Sequence, residues 1–71
     1  MSKRLYRNVA TFLKNTRANR GETQAQFAKR VKLSRGFLSE IEAGVKVPSL
    51  PRLVVIADRL NVTLDELCGR A

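Results

Sequence analysis

The sequence predicts an all-α fold of five short helices, on three observations. Apolar residues recur at three- and four-residue spacing in five successive stretches. Thr23, Ser34, Ser49 and Thr63 stand where such stretches begin, and their short hydroxyls make good N-caps. Gly21, Gly44 and Asn61 stand where stretches end, and these residues tolerate the left-handed conformation found just past a helix.

The elements follow in order. Met1 to Arg7 form a basic lead-in carrying Lys3, Arg4 and Arg7. Leu5, Val9, Phe12, Leu13 and Thr16 then keep helical spacing, which places a first helix over about residues 4–19. Its basic residues, Lys14 among them, are either solvated charges or contacts to an anion. Thr23 with Gln26 three residues on reads as a capping box for the second helix. Ala25, Phe27, Ala28 and Val31 give that helix its apolar side. Lys32, Leu33 and Ser34 form a short break, and Ser34 caps a third helix whose apolar side is Phe37, Leu38 and Ile41. Val45 to Pro48 make a loop. Ser49 opens a fourth helix, with Pro51 tolerated in its first turn and a stripe of Leu50, Leu53, Val54, Ala57 and Leu60. Ile56 borders the stripe, and Val55 points away from it as a weak hint of a partner surface. Thr63 with Glu66 forms a second capping box ahead of a short fifth helix bearing Leu64, Leu67 and Cys68.

Two of these helices, over residues 23–44, carry the sharpest signal. At about 100° per residue, Arg35, Gly36, Ser39, Glu40 and Ala43 fall on the side of the third helix opposite its apolar residues. That outer side holds a guanidinium, a hydroxyl, a carboxylate and two very small residues. It can lie against something polar and closely shaped, or it can face water.

Thr23, Gln24, Phe27, Ala28, Leu33, Ser34, Leu38, Ser39, Ile41, Glu42, Gly44, Pro48 and Ser49 together resemble the Cro/repressor, or XRE, helix-turn-helix family. The similarity continues through Leu53, Ile56, Ala57, Leu60, Val62, Thr63 and Leu67, and covers roughly residues 9–68. It implies a compact five-helix bundle of the phage-repressor DNA-binding type, a single domain over 1–71, with the third helix in the major groove.

The resemblance also assigns roles. Arg35 stands where family members place base-reading side chains, and its guanidinium can bond both O6 and N7 of guanine. Gly36, Ser39 and Glu40 share that face. Gly36 either allows close approach to the duplex or is a plain weakness in the helix. Glu40 either accepts from cytosine N4 or orients Arg35. Gln24, at a helix start where amides and the dipole favour an anion, corresponds to a glutamine that contacts the DNA backbone. Lys46 is placed for phosphate; Ser34, Lys32 and Arg7 join it as candidates. Lys32 departs from the family, which usually has glycine there, so the turn is expected intact at a cost of roughly 1 kcal/mol. Arg17 is expected to pair with Glu42 inside the domain, and the helical wheel agrees by placing Glu42 on the flank beside Leu38. Dimers of the family commonly join through the C-terminal region, which makes Val62, Leu64 and Cys68 candidates for that contact. The alternative is that they complete the monomer core.

Composition bounds the rest. Seventy-one residues have no room for a separate catalytic domain. The net charge is +8 and uneven. Residues 1–35 hold ten basic residues and one acid, a balance of +9; residues 36–71 hold four and five, a balance of −1. Such asymmetry suggests a polyanion partner. An anionic membrane surface would explain the charge, but not Gln24, Ser34 or the small outer face. There is no histidine, and Cys68 is the single cysteine. The usual general base, the catalytic triad and most zinc sites are thereby removed, and no phosphate-binding glycine pattern appears. No catalytic residue, metal or cofactor is expected. One cysteine allows no internal disulfide and fits a reducing cytoplasm. No stretch approaches the ~20 apolar residues of a membrane span, and no apolar run follows the basic N-terminus as in a signal peptide.

The expectation is therefore a sequence-specific duplex-DNA-binding transcriptional regulator. A homodimer on a pseudo-palindromic operator, acting as repressor or autoregulator of phage, plasmid, restriction–modification or bacterial promoters, fits best. An antitoxin or adaptor working through protein contact is the alternative. RNA binding lacks the aromatic platform expected for single strands.

Overall fold

The computed structural model describes residues 3–70, so the first two residues of the basic lead-in lie outside it. Five helices follow in order: α1 (Lys3–Arg20), α2 (Gln24–Arg30), α3 (Arg35–Glu42), α4 (Leu50–Leu60) and α5 (Leu64–Cys68). The lead-in from Lys3 is thus already helical. Helices of 5 to 11 residues, as α2 to α5 are, are not stable alone in water, so packing must hold them. α1 lies against α3 and α5, α2 against α3, and α4 against α5. Leu13, Phe27, Leu38, Ile41, Ile56 and Leu67 are fully buried where these helices meet. None of the helices is long and apolar enough to cross a membrane.

The helix starts match the sequence reading with one difference. Thr23 and Gln26 form a reciprocal capping box, as do Thr63 and Glu66. Ser34 Oγ accepts from the Phe37 amide at 3.1 Å. Ser49 occupies the N-cap of α4, but its side chain makes no capping bond. An N-cap hydroxyl reaches the second or third amide of the helix; Pro51 removes the second, and the third, on Arg52, is left without the bond that the corresponding amides of Gln26, Phe37 and Glu66 make.

All five helices end the same way. A left-handed residue follows each one: Gly21, Lys32, Gly44, Asn61 and Gly69. Its own amide bonds back to a carbonyl of the last turn, and the next amide reaches one carbonyl further back, as in Leu33 N to Ala28 O at 2.9 Å and Val45 N to Glu40 O at 3.1 Å. This paired closure satisfies carbonyls that a helix end otherwise leaves unmet. Lys32, at φ 64°, is the one long side chain among the five, so it alone carries the full steric cost of that conformation.

The apolar stripes need two corrections. Ala25 is exposed, and the buried side of α2 is Phe27 and Ala28. In α4 the buried stripe is Leu53, Ile56, Ala57 and Leu60, so Ile56 belongs to it fully. Leu50 and Val54 do not: they are 60% and 42% exposed. Leu50 sits in the first turn, where no neighbouring helix covers it, and opens onto a cleft also lined by Leu5, Leu64 and Cys68. Val55 is exposed.

Candidate nucleic-acid interface

The outer face of α3 is positioned from behind by one buried carboxylate. Glu42 is 6% exposed, and three donors converge on it. Arg17 of α1 reaches Oε2 through Nε and Oε1 through Nη2, both at 2.9 Å. Gln24 of α2 donates to Oε1 at 3.1 Å. Arg17 Nη1 also donates to the Glu22 carbonyl at 3.3 Å. The two-bond geometry and the shared acceptor fix α1, the start of α2 and the end of α3 to one another. The bond to Glu42 holds the Arg17 guanidinium more firmly protonated than usual. Truncating Arg17 would strand a buried carboxylate and damage the fold, which a binding assay could misread as a lost contact.

With that frame set, the exposed side of α3 presents Arg35, Gly36 and Ser39, with Glu40 half-buried beside them. Nothing lies within 4 Å of where a Cβ on Gly36 would be. The domain's own packing therefore does not demand glycine there. Glu40 pairs with Lys46 of the following loop, Oε2 to Nζ at 3.3 Å, so the carboxylate is tied to the loop and not to Arg35. Both partners are about half exposed, which makes the pair weak and exchangeable. Val45, beside Lys46, is 64% exposed.

The other candidate residues distribute around this face. Ser34 begins α3, and its hydroxyl is engaged in capping. Lys32 is exposed two residues earlier. Gln24 is at the start of α2, but its side chain turns inward to Glu42 instead of standing free. Arg7 is exposed on α1 and lines a hollow with Lys3, Tyr6 and Gly44, next to the end of α3. Val62, Leu64 and Cys68 are half-buried against the core on the α4–α5 side. Burial raises the Cys68 thiol pKa, Asp65 raises it further, and Arg70 opposes them.

Besides the bonds of Gln24 to Glu42 and Lys46 to Glu40, sequence reasoning missed four contacts. Arg30 grips Glu22 through Nε and Nη2, with the shortest bond at 2.7 Å, and lowers the carboxylate's pKa. Arg59 Nε donates to the Arg30 carbonyl at 2.8 Å and ties α4 to the end of α2. Asn8 Nδ2 donates to the Cys68 carbonyl at 3.2 Å, joining the chain's two ends. Arg52 lies over the Phe37 ring, 5.8 Å from its centroid. Each joins residues from different elements, and no spacing rule within one helix could have paired them. Among the described residues no group of three or more metal-ligating side chains comes together.

The model of a family described as helix-turn-helix matches residues 13–67. The chain is 41% identical over 58 residues to the cryptic phage CTXphi transcriptional repressor RstR of Vibrio cholerae, a match covering 82% of this chain and 52% of that protein. The chain thus spans about half the length of that relative. It is 44% identical over 48 residues to YazB of Bacillus subtilis, an uncharacterized HTH-type transcriptional regulator, covering 68% of this chain and 70% of YazB. Its fold is similar to the crystal structure of the hypothetical transcription factor NHTF from Neisseria, with a TM-score of 0.80 over 96% of this chain and 79% of that one, at 23% identity. On the residues matched, the chain belongs to the helix-turn-helix family, of the Cro/repressor or XRE type.

Proposed function

We propose that this chain binds duplex DNA sequence-specifically, laying α3 in the major groove, and thereby regulates transcription as a non-enzymatic binding module. The observation that carries the reading is the outer face of α3: exposed Arg35, Gly36 and Ser39, free of large apolar groups and flanked by cations at Lys32 and Lys46. Arg35 and Ser39, with Glu40, read bases; Lys46, Lys32, Ser34, Gln24 and Arg7 hold the backbone. Backbone contacts set register and base contacts set sequence. Gln24 fits this role with its inward amide, because the hydrogen bond to Glu42 holds the start of α2 in place while the carbonyl and second N–H stay available.

A domain with so few readers gains specificity by pairing. A homodimer joined near Val62, Leu64 and Cys68 would address two half-sites about 34 Å apart on a pseudo-palindromic operator. Repression by occupying a promoter is the simplest output, and the phage repressor among the relatives supports that choice. Arg35→Ala tests the base-reading role: it is expected to cost about 1–3 kcal/mol on the cognate site and to relax preference at one base pair. An equal loss on every sequence would remove Arg35 from the readers.

A further inference from the structure

The molecule carries a second cationic feature beside α3 that the outer-face residues do not include. Arg52 is exposed in the first turn of α4, and among the described residues it has no carboxylate partner. Its guanidinium instead lies over the ring of Phe37, 5.8 Å from the centroid. Phe37 belongs to the same helical turn as Arg35, so the stack holds the charge next to the start of α3. Arg52 also lines a small hollow of about 190 Å³ with Lys32, and its floor is Val31, Leu33 and Val55. Lys32 comes from the α2–α3 turn and Arg52 from α4, so two elements bring two cations to one spot. An arginine on an aromatic face is held in place while its outer N–H groups remain free to donate.

We propose that Arg52 and Lys32 form a phosphate grip at the start of α3, with Phe37 acting as the platform that positions Arg52. The inference rests on the DNA-binding reading and adds to it a residue on α4, outside the helix-turn-helix itself. The grip engages the backbone of the strand beside the α3 N-terminus, and so contributes affinity and register without sequence preference.

The test is fluorescence anisotropy with the full chain, using a labelled duplex enriched by the chain from a random DNA pool as the cognate probe and a labelled unselected duplex as the random one, at 50 and 200 mM salt. Each phosphate contact contributes about 0.9 to the log–log salt slope, so losing one lowers the 200-to-50 mM Kd ratio about 3.5-fold. Arg52→Ala is expected to show that drop equally on both duplexes, with an unchanged melting temperature. Arg52→Lys is expected to keep the wild-type ratio, because the charge remains. In a Phe37→Leu background the Arg52→Ala effect is expected to shrink. An Arg52→Ala chain that melts normally and keeps the wild-type ratio overturns the grip while leaving DNA binding intact. A loss confined to one sequence overturns it too, making Arg52 a base reader. A wild-type chain that binds neither duplex overturns both readings together.

Discussion

Gly36→Ala separates stability from recognition at one atom. Gly36 is the second residue of α3, and a Cβ built on it meets nothing within 4 Å. The added methyl therefore costs no packing, and the change removes backbone freedom from the unfolded chain. Glycine in a helix is worth about 0.5–1 kcal/mol less than alanine, and a first-turn position argues for the low end, about 0.5 kcal/mol. At about 2.1 cal/mol/K per residue, 71 residues give an unfolding entropy of about 150 cal/mol/K, so the gain reads as roughly 3 °C in Tm. The same methyl stands on the face proposed to enter the major groove. If the backbone approaches the duplex there, cognate affinity falls by about tenfold or more, equivalent to about 1.4 kcal/mol. Calorimetry and anisotropy on one preparation read both effects. A variant that is more stable and binds the cognate site as well as wild type refutes the close-approach argument. A variant that is less stable refutes the packing argument.

Lys32→Gly relieves the left-handed residue between α2 and α3. The conformation costs a long side chain about 1–2 kcal/mol and glycine repays about 0.5–1 through its unfolded-state freedom, so Tm is expected to rise by a few degrees while DNA affinity drops on all sequences. A lower Tm would mean that Lys32 makes a stabilising contact outside its backbone role. Arg30→Gln probes acid sensitivity: Arg30 lowers the Glu22 pKa, so the pair's contribution is fully present above the ordinary carboxylate range and lost as pH falls through the lower folded value. Urea midpoints of wild type and variant are expected to differ at pH 7, and the gap to narrow as pH falls below the ordinary carboxylate range; a gap that stays constant down the acid series would rule out the ion pair as its source. Cys68 is expected to react with iodoacetamide more slowly in the folded chain than in urea, because burial keeps its thiol protonated to higher pH and only the thiolate attacks. Equal rates would mean that the thiol is solvated.

The parts of this fold set by local backbone chemistry were legible in the sequence. Both capping boxes, the Ser34 cap and the left-handed ends at Gly44 and Asn61 depend on a few neighbouring residues, and reading those residues is enough. The left-handed Lys32 was legible only as a departure from an expected glycine. Ser49 misled because residue type marks the N-cap position but not whether the hydroxyl makes the bond. Leu50 and Val54 misled because helical periodicity identifies a face but not how far the neighbouring helices extend over it. At the candidate site, the side of α3 that is exposed followed from the wheel. The partner of Glu40 did not, since the loop that brings Lys46 to it has no periodicity, and neither did the stacking of Arg52 on Phe37 across two helices.

The most direct test of the account is selection of bound duplexes from a random DNA pool by the wild-type chain, at near-physiological salt. The account expects enrichment of a motif with two-fold symmetry, its half-sites about one helical turn apart, and loss of one base preference when Arg35→Ala repeats the selection. A pool that emerges no different from the starting one would contradict it: the charge would then be non-specific, and the outer face of α3 would answer to a protein instead.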